Sequence, residues 1–454
     1  MIEAIFERIK QAILPKNDNR TRLASINIMV SLIAKGVAVL TSFALVPLTL
    51  RILDKELYGV WLTISSILFW FTFFDIGLGN GMRNYLAEAL AVKDYTKAKQ
   101  YVSTTFILLF LIALSFAIIA IIFLPWLDFQ QIYNTTTETQ ETLESATLTA
   151  ILLTIAFLAV RNVGTLYVSM QMPAVNDALG VLGSVFTLLA IFLIILSANG
   201  NILWVVAAYT IPPVVLFALA AVPTFRKYPY LRPTANDLNF SLGKNIVSKG
   251  LGFFLIQITS CLVIYGSSNL FVTQYCGPVE VTRYGIAYKF FNLLTVAYTV
   301  FLTPYWNAYT DAYAKNDIDW IKKTFRKTML GWGVLAVVGV CMFVVAPFFY
   351  SLWIGDEVVI PWSVSLVTMA YILMFNLNSC ATFLINGLNK IRVQMITSVV
   401  FTVLYIVAVI TIDGRYGIEG IVLSMAITYF LMTVIHLYQC RLFLQQKAKG
   451  IWNK

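Results

Sequence analysis

Long apolar stretches separated by short polar ones run through this chain of 454 residues. A helix needs about 20 apolar residues to cross the roughly 30 Å core of a bilayer, and most of these stretches are that long. Twelve spans are predicted, near residues 23–50, 58–80, 101–127, 145–172, 177–197, 202–224, 249–276, 283–310, 325–350, 361–386, 392–412 and 417–441. The pattern therefore predicts an all-α, polytopic membrane protein with about twelve transmembrane helices.

The composition agrees with this interpretation. Hydrophobic residues make up 59% of the chain and charged residues only 12%, with a mean hydropathy of +0.80. In a soluble protein, the net charge of +10 would suggest nucleic-acid binding. Here the positive-inside rule explains the charge, because basic residues hold loops at the cytoplasmic face. We therefore expect no nucleic-acid partner.

The basic residues are distributed unequally between the two sides of the predicted spans. Of the 32 Lys and Arg residues, 25 fall in the N-terminal segment, the tail and the loops on the same side. The loops on the other side carry four, namely Arg51, Lys55, Arg283 and Arg415. By the positive-inside rule, this split predicts that both termini lie in the cytoplasm.

The predicted spans divide into two halves. We expect an interfacial segment at 1–22, a six-helix lobe at 23–224, a central cytoplasmic loop at 225–248, a second six-helix lobe at 249–441 and a tail at 442–454. The two halves share short motifs in the same order: Tyr58-Gly59 matches Tyr284-Gly285, and Glu88-Ala89-Leu90-Ala91 before Asp94 matches Asp311-Ala312-Tyr313-Ala314 before Asp317. An even number of spans per half predicts pseudo-twofold symmetry about the membrane normal.

Three cationic residues, Lys35, Arg161 and Lys289, lie within predicted spans. A charge at the bilayer centre costs several kcal/mol, so it normally faces a polar cavity or an ionic partner. We expect Lys35 and Arg161, with the adjacent Asn162, to line a central cavity; an ion pair between helices is the alternative. Lys289 is nearer the outer edge, where snorkelling explains it as well as function does.

Other polar residues in the spans have two interpretations each. Asp75 either pairs with Arg83 or binds or releases a coupling cation. Asn376 and Asn378 either hydrogen-bond between helices or bind sugar hydroxyls. The single histidine, His436, is placed near the end of the last span, where interfacial packing is expected.

Several kinds of chemistry lack a sequence signal. The five cysteines form no C-x-x-C pair and there is no histidine cluster, so neither a disulfide framework nor a metal site is predicted. The nucleotide-binding pattern G-x-x-x-x-G-K-[ST] is absent. We predict no catalytic residues and no bound cofactor.

Cationic side chains in a cavity suit a phosphate-bearing substrate, since Arg binds phosphate bidentately and Lys supplies a point charge.

One stretch also resembles a known family. Tyr58-Gly59-Val60-Trp61-Leu62-Thr63, followed by Phe74-Asp75-Ile76-Gly77-Leu78-Gly79-Asn80-Gly81 and by Arg83-Asn84, is similar to O-antigen (Wzx-type) flippases. These belong to the multidrug/oligosaccharidyl-lipid/polysaccharide (MOP) exporter superfamily, and the similarity is densest over residues 23–110. The resemblance marks Asp75, Asn80, Arg83 and Asn84 as motif positions and candidates for coupling or gating.

The resemblance implies a multi-pass protein of the bacterial inner membrane that is not an enzyme. Its substrate would be an undecaprenyl-pyrophosphate-linked oligosaccharide repeat unit, moved by alternating access and driven by a proton or sodium gradient. Membrane lipids, the polysaccharide polymerase and the chain-length machinery are the further partners it implies. The alternatives are a multidrug or toxin exporter of the same superfamily and a membrane glycan polymerase or glycosyltransferase. An exporter of cationic drugs would need acids in the cavity, and an enzyme would need a larger outer loop or an acid-rich site.

Overall fold

The computed structural model describes residues 19–71, 78–197, 200–243, 268–412 and 414–453, without the side chains of residues 19–28, 32 and 80. All regular elements in these ranges are helical. The α-helices are α1 Asn19–Ile52, α2 Lys55–Phe71, α3 Leu78–Ala91, α4 Tyr95–Phe123, α5 Phe129–Tyr133, α6 Gln140–Val160, α7 Asn162–Ser169, α8 Pro173–Ser197, α9 Ile202–Lys227, α10 Ser268–Cys276, α11 Pro278–Ala314, α12 Ile318–Ile354, α13 Trp362–Gly387, α14 Arg392–Ile412 and α15 Gly417–Leu444. The prediction of an all-α protein is confirmed.

Ten helical segments in the described ranges are long and apolar enough to cross a membrane. They are Met29–Ile52, Tyr95–Trp126, Gln140–Ser169, Pro173–Ser197, Ile202–Lys227, Pro278–Ala314, Ile318–Ile354, Trp362–Gly387, Arg392–Ile412 and Gly417–Leu444. Each corresponds to a predicted span. The other two predicted spans, near 58–80 and 249–276, fall partly outside the described residues, as do most of the interfacial segment at 1–22 and part of the central loop. The chain is a multi-pass membrane protein.

The helix surfaces match a lipid environment. On α4, Phe110, Leu111 and Leu114 are exposed, and on α9 so are Leu219 and Val222. Exposed apolar area of this extent would be unfavourable in water, whereas lipid chains solvate it at no cost.

The tight turns that connect helices repeat along the chain. After α3, the N–H groups of Lys93 and Asp94 donate to the carbonyl oxygens of Leu90 and Ala89, and Lys93 has φ 59°. After α11, Asn316 and Asp317 make the same two bonds to Tyr313 and Ala312, and Asn316 has φ 57°. This is the Schellman arrangement at a helix C-terminus.

Each of these turns leads directly into a capped helix. The side chain of Asp94 accepts from the Lys97 N–H at the start of α4, and that of Asp317 accepts from the Trp320 N–H at the start of α12. The matching motifs in the two halves of the sequence therefore fold into the same local structure, which supports an internal repeat.

The polar segment after α9 is packed against α4. Leu231 is fully buried in a cluster with Ala98 and Val102 of α4, and the ring of Tyr230 lies 4.7 Å from that of Tyr95. The Thr234 N–H donates to Ser103 Oγ at 3.1 Å, and Lys99 Nζ lies 2.8 Å from Asp237 Oδ2. The described part of the predicted central loop is therefore a structured extension of the helices before it.

Replacing Asp237 with Asn should loosen this segment. The hydrogen bond from Lys99, and then that from Thr234, hold the pKa of Asp237 below its ordinary value of 3.8. The ion pair therefore contributes fully above pH 3.8 and is lost as the pH falls through the lowered pKa. We expect amide hydrogen exchange over residues 228–243 to quicken about two- to fivefold at pH 7, as for loss of a surface ion pair.

Asp319→Asn is the matched control for this change. Asp319 pairs with Lys322 within a single helix, at 3.2 Å, so its loss leaves the packed segment in place. Equal exchange in the wild type and Asp237→Asn would show that the ion pair does not hold the segment.

The helices group into two compact units. Unit 1 contains α1, α3, α4, most of α6, and α7 to α9; in it α1 packs along α8, and α3 packs against α4 and α7. Unit 2 contains α2, α5 and α10 to α15, with α13 packed between α11 and α15. The predicted lobes at 23–224 and 249–441 differ from these units in the positions of α2, α5 and the first turn of α6, and they stay a prediction about which helices move together.

Within unit 2, α2 and α11 cross at very short range. A Cβ atom added to Gly59 would lie 1.8 Å from the carbonyl oxygen of Pro278, and one added to Gly285 would lie 2.4 Å from Leu62 Cδ1. Thr282 Oγ1 also donates to the Lys55 carbonyl at 2.6 Å. Both glycines of the matching Tyr-Gly pairs therefore lie at one helix crossing, and at Gly59, which meets backbone, only glycine permits such an approach.

Candidate functional site

Arg161 lies at an interruption within the span Gln140–Ser169. The Arg161 N–H donates to the Phe157 carbonyl at 2.9 Å, as in an α-helix. The Gly164 N–H instead donates to the Arg161 carbonyl, three residues back, at 2.9 Å, as in a 3-10 helix. This local tightening separates α6 from α7, and such a turn within a helix often marks a functional position. The side chain of Arg161 is half-buried.

The residues after Arg161 hold the interruption in place. Asn162 is buried; its Nδ2 donates to the Leu158 carbonyl at 3.3 Å and its Oδ1 accepts from Thr165 Oγ1 at 3.4 Å. A Cβ atom on Gly164 would lie 2.0 Å from Asn176 Oδ1, so α7 approaches α8 closely. Asn162 thus positions the backbone that carries Arg161; its predicted contact with substrate stays a prediction.

Lys35 projects from an uncovered face of α1. Its side chain is exposed, and a Cβ atom on the adjacent Gly36 would meet nothing within 4 Å. Ile33 and Leu40 of the same helix are also exposed, whereas Ala34 and Thr41 are buried. The ammonium group of Lys35 is therefore accessible to a ligand. In unit 1, α1 and α7 both pack against α8, so Lys35 and Arg161 lie on elements that flank the same helix.

Lys289 lies on α11 in unit 2. Its side chain is half-buried, and its neighbours in sequence, Ala287, Phe290 and Phe291, are buried. It is the twelfth residue of the helix, about 16 Å from the start at 1.5 Å per residue. Its buried neighbours place it on a packed part of the helix, and its role in the site stays a prediction.

Asn376 and Asn378 are buried on α13. Nδ2 of Asn376 donates to Thr295 Oγ1 of α11 at 3.0 Å and to the Ile372 carbonyl at 2.8 Å. Oδ1 of Asn378 lies 2.7 Å from Nδ1 of His436 on α15. Both amides therefore hydrogen-bond between helices, and their sugar-binding role stays a prediction.

The predicted coupling residues are only partly described. Asp75 lies outside the described residues. Asn80 lies in the first turn of α3, and its side chain is not described. Arg83 and Asn84 are exposed, while Met82 and Leu86 on the other face of α3 pack against α4.

His436 forms hydrogen bonds to two other helices, which the sequence analysis did not predict. It is fully buried within the span Gly417–Leu444, and Nε2 lies 2.9 Å from Thr397 Oγ1 of α14 while Nδ1 faces Asn378 of α13. The ring therefore packs among three helices, and its expected position near the membrane interface stays a prediction. A signal was available in the sequence: Ser424, Thr428, His436 and Gln439 recur at helical spacing and form a polar stripe on an otherwise apolar helix.

The described residues hold no group of three His, Cys, Asp or Glu side chains that could bind a metal ion. Acids in the ten spans lie within the first five or last four residues of their helices; they are Glu141, Glu144, Asp177, Glu280, Asp311, Asp319 and Glu419. Beyond these end segments, the charged residues of the ten spans are all cations: Lys35, Arg161, Arg283, Lys289, Lys323, Arg326 and Lys327. The described part of the membrane region can therefore attract an anion.

No protein-family model matches this chain. A putative O-antigen export protein of Yersinia pseudotuberculosis is 23% identical over 313 residues, which are 66% of this chain and 68% of that protein. A putative O-antigen transporter of Salmonella typhi is 22% identical over 263 residues, covering 57% of this chain and 58% of that protein.

Solved structures resemble nearly the whole chain. An inward-facing multidrug resistance MATE family transporter of the MOP superfamily matches with a TM-score of 0.71 and 15% identity, covering 92% of this chain and 94% of that one. A MOP superfamily transporter from Pyrococcus furiosus, titled as having a binding pocket of reverse polarity, matches with a TM-score of 0.63 and 15% identity, covering 94% and 95%. The chain therefore has the fold of MOP superfamily transporters. Its predicted resemblance to O-antigen flippases is confirmed by the Yersinia pseudotuberculosis and Salmonella typhi relatives.

Proposed function

We propose that this protein is a flippase that moves lipid-linked oligosaccharide repeat units of O-antigen, or of another surface polysaccharide, across the bacterial inner membrane. The observation that carries the proposal is the similarity of about two thirds of the chain to a protein named for O-antigen export, within a transporter fold. Transport across a membrane requires no covalent chemistry, so the proposal assigns the protein no enzymatic activity.

The charges of the described spans support an anionic substrate. Beyond the first five and last four residues of the described spans, the charged residues are all cations, and these include Lys35, Arg161 and Lys289. An undecaprenyl-pyrophosphate headgroup is anionic whatever sugars it bears. In the proposed mechanism, Lys35 and Arg161 engage the pyrophosphate and the prenyl chain stays in the bilayer.

The proposed mechanism is alternating access. The two predicted lobes would rock around the bound headgroup, with Asp75, Asn80, Arg83 and Asn84 involved in coupling or gating and an ion gradient as the driving force. The unequal distribution of Lys and Arg supports cytoplasmic N- and C-termini. The polysaccharide polymerase and chain-length machinery are proposed partners, because they act on the lipid-linked repeat after it crosses.

Deleting the gene in the native host tests the proposal. We expect complete, unpolymerised lipid-linked repeats to accumulate on the cytoplasmic leaflet, with surface polymer lost and restored by the cloned gene. Leaflet position is measured by adding a glycosidase or lectin to intact cells and to inside-out vesicles. Single repeats accessible on the outer leaflet would instead place the protein at polymerisation.

The second candidate is a multidrug exporter, because the chain shares its fold with MATE transporters. The scarcity of acids in the interior of the described spans counts against it, since cationic drugs need negative charge in the binding site. In the same deletion strain, altered drug sensitivity with normal surface polymer would favour the exporter.

A further inference from the structure

His436 connects three helices of unit 2. It is the only histidine of the chain and is fully buried. Nδ1 lies 2.7 Å from Asn378 Oδ1 on α13, and Nε2 lies 2.9 Å from Thr397 Oγ1 on α14. Both nitrogens of the ring therefore have partners on other helices, so a change in its proton content alters contacts of α15 with α13 and α14.

The hydrogen bonds of Thr397 limit the states of the ring. Thr397 Oγ1 lies 3.0 Å from the carbonyl oxygens of both Val393 and Gln394, and these can only accept. A hydroxyl group has one proton, so when Thr397 donates to its own helix, Nε2 must donate to Thr397.

The partner of Nδ1 is an amide, which can present either an acceptor or a donor. While Thr397 donates to its own helix and Asn378 Oδ1 faces the ring, Nδ1 also donates and the ring is cationic; if Thr397 donates to Nε2 instead, the ring is neutral with its proton on Nδ1. With the amide rotated so that Nδ2 faces the ring, Nδ1 accepts and the ring is neutral. The site can thus bind or release one proton at Nδ1 by rotating one amide, with each hydrogen bond of the ring preserved.

The surroundings determine which state is stable. The described elements that pack against α15 are α10, α12, α13, α14 and the turn Gly450–Asn453. Besides tyrosines, their titratable or charged groups and those of α15 are Cys276, Asp319, Lys322, Lys323, Arg326, Lys327, Cys341, Cys380, Arg392, Glu419, Cys440 and Arg441.

None of these groups neutralises an imidazolium at His436. Glu419 lies 17 residues away on the same helix, about 25 Å along it, and Asp319 is exposed in the first turn of α12. The nearest thiol along α15, Cys440, donates to the Ala381 carbonyl at 3.7 Å. A buried cation without a counter-charge is unfavourable by several kcal/mol, so the packed arrangement favours the neutral ring.

We propose that His436, with Asn378 and Thr397, is the site where a transported proton binds and drives the conformational change. This rests on the proposed transport function and names the coupling ion. The proton passes from water to Nδ1 when α14 separates from α13 and α15 and the ring is hydrated, and it leaves when the three helices close again. Because proton binding favours the hydrated arrangement, closure must expel the proton, and this links the gradient to the transport cycle.

Ring titration tests proton binding independently of any substrate. The protein, expressed without a histidine tag, is labelled with ¹⁵N only at histidine and placed in lipid nanodiscs, so that the imidazole signals come from His436 alone. We expect the ring nitrogens to titrate between about pH 5 and pH 8, because protonation shifts the protein to the hydrated arrangement, in which the ring behaves as an ordinary imidazole. Thr433→Val is the matched control: Thr433 is buried on α15 and donates only to the Tyr429 carbonyl, so its removal should leave the titration unchanged.

Asn378→Leu removes the partner of Nδ1 and should lower the titration midpoint by more than about one pH unit. A ring that keeps one protonation state across this range overturns the proposal. So does a midpoint that Asn378→Leu does not move.

Transport tests the coupling. Lipid-linked repeat purified from the deletion strain is reconstituted with the protein in vesicles, and its leaflet exchange is followed with and without an imposed pH gradient. We expect a gradient of one pH unit to accelerate the wild type and Thr433→Val about tenfold, and His436→Gln to show the same rate with and without it. Acceleration of His436→Gln by the gradient, or of the wild type only by sodium, overturns the proposal.

If the wild type moves no lipid-linked repeat, the proposed function fails, and the ring titration alone then decides whether His436 is a proton site.

Discussion

Arg161→Ala and Lys35→Ala should each abolish surface polysaccharide while leaving the protein in the membrane. Losing one of two cations that bind a desolvated pyrophosphate is expected to weaken binding by about 2–5 kcal/mol, at least roughly thirtyfold. Lys35 is exposed on α1 and Arg161 lies at the interruption before α7, so neither change opens a cavity in the apolar core. Surface polymer is measured by immunoblot of cell extracts, and protein level by a tag on the same protein.

Matched variants separate charge from folding. Arg161→Lys and Lys35→Arg keep the charge and should retain part of the activity, more at Lys35, where a point charge suffices, than at Arg161, where bidentate contact is proposed. Arg51→Ala removes a cation from the last turn of α1 and should leave the polymer unchanged. Full activity in both alanine variants would mean that the proposed cationic cavity is wrong.

Gly59→Ala should destabilise unit 2 strongly. Its Cβ atom would lie 1.8 Å from the Pro278 carbonyl oxygen, and neither backbone can turn away as a flexible side chain would. Overpacking of this kind costs about 1–3 kcal/mol. We expect less protein in the membrane and an apparent melting temperature in detergent that is lower by roughly 2 °C or more.

Gly180→Ala is the control for Gly59→Ala. Gly180 lies in α8, where a Cβ atom meets nothing within 4 Å, and alanine is the better helix former by about 1 kcal/mol. It should therefore leave the melting temperature equal or higher. An unchanged melting temperature for Gly59→Ala would show that α2 and α11 can separate without loss of stability.

The number and type of elements could be read from the sequence because the bilayer imposes them. Each backbone polar group in lipid must be satisfied within its own helix, so an apolar stretch of sufficient length is a helix regardless of its neighbours. The turns after α3 and α11 are likewise determined by local sequence, since the bonds of Asp94 and Asp317 involve residues at most five positions away.

The candidate site was predicted less completely. Lys35 and Arg161 were identified by their positions within apolar segments, because a charge in such a segment is unfavourable unless it faces a polar cavity or a partner. The roles of Asn376, Asn378 and His436 could not be assigned, because a buried amide or ring can bind either a ligand or another helix, and the choice depends on the helix that lies opposite.

The sequence by itself determined the helical spans, the charge asymmetry and the local caps, all of which depend on the solvent or on residues close in the chain. Only the tertiary structure decided that Gly59 meets Pro278, that residues 228–243 pack against α4, and that Asn378, His436 and Thr397 form one network. Their physical reason is the same: these contacts join positions far apart in the chain, and apolar helices of similar hydropathy carry no signal of which neighbour each will pack against.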